Sequence, residues 1–230
     1  MGLLHRIQMY GDSILKGVEL DTANRYIVPR ENSWQFLEEE YPLAIVNRAK
    51  FGCTVTKGLE QLRRAADKGL SCEAVVLEYG GNDCDYRWPE ISANPAGLHE
   101  PNTPLPEFIR CCREMISILR ENRVMPIVMS LPPIDAQRYF DWFCRDGLDR
   151  QAILEWLGGD VQTIYRHQEM YSSALCRVAL EERVPLVDVR TPFLQAKNCR
   201  DLLCADGIHP NREGHRLMGQ VFADFVAVHA

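Results

Sequence analysis

No window of this chain approaches the 18 or more consecutive apolar residues of a membrane-spanning helix, so no span is expected. Positive charge is also in short supply. Against 32 Asp and Glu stand 26 Lys and Arg, a formal net charge of -6, which argues against a protein whose main task is to grip nucleic acid through its phosphates. The 9 cysteines (Cys53, Cys72, Cys84, Cys111, Cys112, Cys144, Cys176, Cys199, Cys204) show no repeated Cys-x-x-Cys spacing. An odd number cannot pair completely within one chain, so they read as buried or part-buried thiols of a reducing compartment. His5, His167 and His229 belong to no metal-ligand constellation, and no metal is expected. The first residues lack the basic segment, apolar core and small-residue cleavage site of a secretory signal. Position 6 is Arg, where myristoylation at Gly2 needs Ser or Thr. A cytoplasmic location is the expectation, although a secreted form trimmed of its signal presents the same sequence. Internal repeats and low-complexity tracts are missing as well.

What the chain has is alternation. Its 230 residues suffice for one large core, so a single domain over 1–230 is expected. Short apolar runs at 7–10, 43–46, 74–79, 125–131 and 185–189 read as strands. Amphipathic stretches at about 31–41, 55–68, 107–122, 160–182 and beyond Pro210 read as helices between and after them. Five strands alternating with helices predict an α/β fold, a three-layer α/β/α sandwich on a parallel sheet with right-handed crossovers. Two long connections stand out. Residues 84–107 hold five prolines, too many for a regular element, and 132–160 crowds Tyr139, Phe140, Trp142, Phe143 and Trp156 among arginines. The second reads either as a substrate-facing flap or as a helical insert packing its aromatics on the body.

The chemistry gathers at strand ends. Gly11-Asp12-Ser13 breaks the first strand and opens a helix, which sets the Ser13 hydroxyl at the sheet edge where ligands bind. Ser13 is a nucleophile candidate; a plain helix cap by Asp12 or Ser13 is the competing reading. Near the other end runs Asp206-Gly207-Ile208-His209-Pro210, where proline keeps His209 out of helical geometry at a helix entrance. Asp206 can reach Nδ1–H of the imidazole and leave Nε2 to accept a proton, as a base activating a serine requires. A cap plus a surface histidine is the alternative. An oxyanion needs two or three convergent donors. The candidates are the Ser13 and Gly52 amides and the Asn82 carboxamide, with a turn glycine and an Asx-turn as the bland readings of the last two.

These blocks resemble the SGNH or GDSL hydrolase family: Gly11-Asp12-Ser13, then Gly52, then Gly80-Gly81-Asn82-Asp83, then Asp206-Gly207-Ile208-His209-Pro210. They occur in the family's order and span residues 11–210. The resemblance implies a flavodoxin-like five-stranded parallel sheet of order 2-1-3-4-5. It implies Ser13 as nucleophile, His209 as base, Asp206 as its orienting acid, and Ser13, Gly52 and Asn82 as oxyanion donors. No metal or organic cofactor is implied. Ile14-Leu15-Lys16-Gly17 and Gly81 depart from the commonest pattern of the family without touching a catalytic position.

The function expected is therefore a serine esterase acting through an acyl-enzyme on a small-molecule ester. A short acyl group on a polar alcohol such as a carbohydrate is favoured, because Arg87 and Trp88 sit with His99, Glu100 and Asn102 in the proline-rich connection. Asp12, Arg87 and Trp88 are the candidate substrate contacts. A lipase, lysophospholipase or thioesterase using the 139–156 aromatics as an acyl tunnel is the rival within the class. A non-catalytic binding protein on the same fold would be expected to lack a triad member, and a flavodoxin-like redox module needs a first loop richer in phosphate-binding donors. Two further expectations concern single residues. Glu78, inside the apolar third strand, requires a partner, an arginine being the natural one, and His215 should face outward from the last helix.

Overall fold

A computed structural model describes residues 4–29 and 33–229. In chain order the elements are β1 (Arg6–Gly11), α1 (Ser13–Lys16), β2 (Glu19–Leu20), β3 (Tyr26–Ile27), α2 (Ser33–Glu40), β4 (Ala44–Asn47), α3 (Val55–Ala66), β5 (Ala74–Glu78), α4 (Trp88–Ala93) and α5 (Leu105–Glu121). There follow β6 (Met125–Met129), α6 (Ala136–Phe143), α7 (Arg150–Trp156), α8 (Gln162–Glu181), β7 (Leu186–Val187), α9 (Arg190–Gln195) and α10 (Arg212–His229). The start expected for the second helix at Glu31, and Gly2, lie outside the described residues.

Five strands form one parallel sheet in the order β4-β1-β5-β6-β7, the order implied by the family resemblance. Side-chain alternation sorts the sheet into two faces. Tyr10, Val75, Leu77 and Val128 pack on α3, α5 and α8. Ile7, Met9, Val76, Ile127 and Met129 pack on α1, α2, α9 and α10. All five residues of β5 are buried, as a strand covered on both faces must be. α5 buries Phe108, Cys111, Cys112, Met115, Ile116 and Leu119 at helical spacing, each large apolar side chain contributing about 1.5–3 kcal/mol. All nine cysteines are free thiols. Among the described residues no helix is long and apolar enough to cross a membrane.

Three features differ from the sequence reading. A two-stranded antiparallel ribbon, β2 with β3, lies outside the main sheet. The proline-rich connection is not wholly irregular, because Pro89 falls in the first turn of α4 and Pro106 in the first turn of α5, where a missing N–H costs nothing. The two long connections also pack on each other. Trp88 and Ile91 meet Ala136, Phe140, Cys144, Ile153, Leu157 and Ile164 in a third apolar cluster, separate from the two that sandwich the sheet. This cluster forms a cap beside the carboxyl edge of β1 and β5.

Candidate active site

At the end of β1 the Asp12 side chain caps α1, accepting the Ile14 N–H at 2.9 Å. The capping reading of this tripeptide thus holds for Asp12, and the cap sets Ser13 as the first helical residue, 6% exposed. Trp34 Nε1 and Asn47 Nδ2 both donate to the Leu15 carbonyl, at 2.8 and 2.9 Å, and fix this one-turn helix from two other elements.

His209 arrives from the far end of the chain. Its loop does not follow a strand directly, since α9 and a 3-10 turn at Cys199–Leu202 intervene after β7. Local bonds make the loop rigid. Leu203 and Pro210 form an antiparallel bridge, the Cys204 N–H donates to the His209 carbonyl at 2.8 Å, and the Asp135 N–H donates to the Gly207 carbonyl at 2.8 Å. Gly207, at φ 75°, leaves no room for a side chain, because a Cβ there would stand 2.6 Å from the Asp135 carbonyl.

Three side chains meet in line. His209 Nδ1–H donates to Asp206 Oδ2 at 2.6 Å, and Ser13 Oγ–H donates to His209 Nε2 at 2.8 Å. Asp206 is 0% exposed and His209 3%. The second carboxylate oxygen of Asp206 accepts the amides of Ile208 and His209, each at 3.1 Å. Burial acts to raise the Asp206 carboxyl, but the His209 bond and charge and these two amides outweigh it and hold the group below its ordinary value. Asp206 is therefore an anion aimed at the imidazole, a setting in which Nδ1 keeps its proton.

Around Ser13 opens a cavity of about 430 Å³ whose wall includes Gly52, Asn82 and His209. The Ser13 and Gly52 amides meet no acceptor among the described residues. Gly52 sits at φ 65°, a conformation that glycine adopts without penalty, and a Cβ there would meet nothing within 4 Å. Asn82 donates from Nδ2 to Asp12 Oδ2 at 2.9 Å, and its second N–H remains for the cavity. Its backbone carbonyl accepts from Asn102 Nδ2 at 3.0 Å, while the neighbouring Asp83 accepts the Val55 N–H at 2.9 Å and so ties this loop to the start of α3. Burial pushes the Asp83 carboxyl up to about 7.

The predicted substrate contacts fare unevenly. Asp12 borders the cavity but is 1% exposed, with both oxygens engaged. Arg87 points away: it is absent from the cavity wall, its side chain is 73% exposed, and it pairs with Glu90 at 3.1 Å. Trp88 does line the cavity, yet it is enclosed. Phe143 stacks on it at 4.3 Å between centroids, Tyr86, Tyr139 and Trp156 surround it, and its Nε1 donates to Asp85 Oδ1 at 2.9 Å. No indole face is left for a sugar. The 139–156 aromatics pack on Trp88 of the other long connection, while Tyr139, Trp142 and Phe143 also line the cavity as the substrate-facing reading requires.

Tyr26 and Phe51 were not expected here. Tyr26 lies 5.1 Å and Phe51 6.1 Å from the His209 ring, with Phe51 stacked nearly parallel, and Trp142 stands 6.3 Å from Tyr26. Burial first and the Asp206 charge second push the Tyr26 phenol up to about 12, so it stays neutral beside the imidazole. Phe51 directly precedes Gly52 and had a positional signal; the only mark of Tyr26 is the apolar run Tyr26-Ile27-Val28 in a polar stretch. Two other expectations are corrected. His215 is buried and donates from Nε2 to the Val18 carbonyl at 3.1 Å, joining α10 to the end of α1. Among the described residues Glu78 faces no arginine; the residue against it is another acid, Asp12. Among the described residues no group of three His, Cys, Asp or Glu side chains is arranged to hold a metal ion.

Comparisons with known proteins converge. A model of the GDSL-like Lipase/Acylhydrolase family matches residues 9–217. An isoamyl acetate-hydrolyzing esterase from Saccharomyces cerevisiae is 28% identical over 129 residues, 55% of this chain and 50% of that protein, so the chain matches about half the length of this curated relative. The lipase/acylhydrolase from Enterococcus faecalis superposes with a TM-score of 0.69 at 18% identity, over 98% of this chain and 97% of that one. A psychrotrophic esterase from Pseudoalteromonas sp. gives a TM-score of 0.62 at 15% identity, over 97% of each chain. At these identities the solved structures speak for the fold alone. The family match runs across nearly the whole chain and encloses every residue from Ser13 to His209, and by it the chain belongs to the GDSL-like lipase/acylhydrolase family.

Proposed function

We propose that this protein is a serine esterase that hydrolyses carboxylic esters with a short acyl group through an acyl-enzyme. The observation that carries the reading is the continuous chain from Ser13 Oγ to His209 Nε2 at 2.8 Å and from Nδ1 to Asp206 at 2.6 Å. Ser13 attacks the ester carbonyl carbon as His209 Nε2 takes its proton, and the Asp206 anion stabilises the imidazolium. The carbonyl oxygen, now negative, accepts from the Ser13 and Gly52 amides and from Asn82 Nδ2. His209 returns the proton to the departing alcohol oxygen. Water then adds to the acyl-enzyme with His209 as base, and collapse of the second tetrahedral species restores Ser13 and releases the acid.

The cavity wall favours an apolar alcohol over a carbohydrate. Arg87 is turned to solvent and Trp88 is covered, whereas Ile14, Leu131, Trp142 and Phe143 offer apolar contact. The yeast relative, named for hydrolysing isoamyl acetate, supports the same choice.

Ser13→Ala should abolish both turnover of p-nitrophenyl acetate and labelling by a fluorophosphonate, with the fold intact. Undiminished labelling in that variant would remove Ser13 from the reaction. A p-nitrophenyl ester series from acetate to palmitate, with isoamyl acetate set against an acetylated sugar, tests the substrate. Preference for palmitate favours the long-chain acylhydrolase reading, and preference for the sugar ester returns the polar alcohol.

A further inference from the structure

Beneath the candidate nucleophile lie two acids with no base between them. Glu78 ends β5 in register with Gly11 of β1, and the alternation of Ala74, Val76 and Glu78 turns its side chain toward α1. It is 0% exposed. A carboxyl placed there would normally be neutralised by a cation, yet Glu78 has no ion pair among the described residues. Its Oε2 accepts the Asp12 N–H at a long 3.4 Å, and its Oε1 has no hydrogen-bond partner among the described residues. Gly11 makes the arrangement fit: a Cβ on residue 11 would stand 2.9 Å from Glu78 Oε2 and 2.7 Å from the Glu78 carbonyl.

The hydrogen bonds decide which acid holds a proton. Asp12 accepts on both oxygens, from the Ile14 amide at Oδ1 and from Asn82 Nδ2 at Oδ2, each at 2.9 Å. A group accepting twice from strong donors is the carboxylate of the pair. Two adjoining carboxyls at this depth cannot both ionise. The proton therefore belongs to Glu78, whose one hydrogen bond of measurable geometry, from the Asp12 amide, is long.

We propose that Glu78 is a neutral, proton-donating positioning residue, whose carboxylic O–H is given to Asp12 so that Asp12 stays an acceptor and fixes the Asn82 carboxamide toward the developing oxyanion. The inference rests on the esterase reading above. Burial first and the Asp12 charge second push the Glu78 carboxyl well above its ordinary value, outweighing the Asp12 and Leu15 amides that act the other way. Asp12 is itself raised by burial, against which the Ile14 amide, the His209 charge and the Asn82 bond act. The other titratable groups facing the pair are Cys53, Tyr79, Asp83 and Cys84, all neutral or anionic, and they add no cation that would ionise Glu78.

The test has two independent arms. The first is the carboxyl carbon resonance of Glu78 in protein labelled with ¹³C at glutamate carboxyls, assigned by its loss in Glu78→Gln. The expected result is a protonated carboxyl at neutral pH, and a signal titrating in the usual carboxylate range overturns the proposal. This arm needs no turnover and no folded apolar variant, so it stands even if Ser13 fails as nucleophile, which fluorophosphonate labelling reads separately. The second arm is kinetic. Glu78→Gln keeps a donor and should hold kcat within about threefold, while the near-isosteric Glu78→Leu should lower kcat on the order of tenfold or more with KM unchanged. Combined with Asn82→Ala, Glu78→Leu should lower kcat no further, because the two act through one amide. Equal losses in Glu78→Gln and Glu78→Leu, additive losses with Asn82→Ala, or full activity in Asp12→Asn each refute it.

Discussion

Replacing Asp206 by asparagine tests the proposed triad through a proton, with little change of shape. The oxygen that accepts from the Ile208 and His209 amides at 3.1 Å is held by two donors, so the asparagine oxygen stays there. Its amino group then occupies the place of Oδ2, 2.6 Å from His209 Nδ1. A donor facing Nδ1 forces that nitrogen to accept, which moves the ring proton to Nε2 and leaves the Ser13 hydroxyl with no acceptor. The wrong tautomer in a serine triad costs about 10⁴ in kcat, or about 5.4 kcal/mol of transition-state stabilisation. Two of three hydrogen bonds survive and the third is exchanged, so folding stability should change by only about 1–2 kcal/mol. Turnover of p-nitrophenyl acetate, read beside thermal unfolding, separates the two effects. A folded Asp206→Asn variant within tenfold of the wild-type kcat would show that Asp206 does not orient the base.

Two other outcomes follow from the geometry. Asn82→Ala, which removes one of the three proposed oxyanion donors, should lower kcat on the order of 10²- to 10³-fold and leave KM nearly unchanged; a loss confined to KM would make Asn82 a substrate-binding residue. His215 supplies a pH test of stability. Burial drives its imidazole from 6.5 down to about 4, so between those values the unfolded chain binds the proton that the folded chain refuses. Its contribution is fully present above pH 6.5 and is lost as pH falls toward 4, by up to about 3 kcal/mol. Urea unfolding at a series of pH values should show a shallower slope in this window for His215→Gln, and parallel curves would contradict the assignment.

The strand positions were legible because most strands are apolar runs closed by Gly, Asn or Pro, as at Leu77-Glu78-Tyr79-Gly80 and Leu131-Pro132, whereas their order in the sheet came only with the family resemblance. The candidate triad was legible because Ser13 and His209 each sit in a local break, and the Asp-x-x-His-Pro spacing confines the carboxylate to one side of the ring. Tyr26 was not legible, since β2 and β3 have two residues each, too few to display a period. Glu78 looked like half of an ion pair because sequence alone cannot tell that the neighbour across the ladder, Gly11, brings Asp12 with it. His215 was misread from the outer half of an amphipathic pattern; the short turn after α1 reaches up to cover it, a tertiary contact that periodicity does not contain. Arg87 failed for the opposite reason. Its closest acid is three residues along its own helix, and that local pair holds it in solvent.

The cap of Trp88, Phe140, Ile153 and their neighbours is a separate apolar cluster, while the triad candidates are held by β1, α1 and the bridged loop at 203–210. Under the proposed function, one group of side chains bears on what fits beside Ser13, and another on whether Ser13 can react. Changes in the first that leave the Asp135 bond to the Gly207 carbonyl intact can be accumulated without passing through intermediates that have lost the second. A lineage carrying this architecture can therefore drift between esters of different size while its chemistry stays fixed, and a laboratory library confined to the cap should give altered selectivity far more often than it gives dead enzyme.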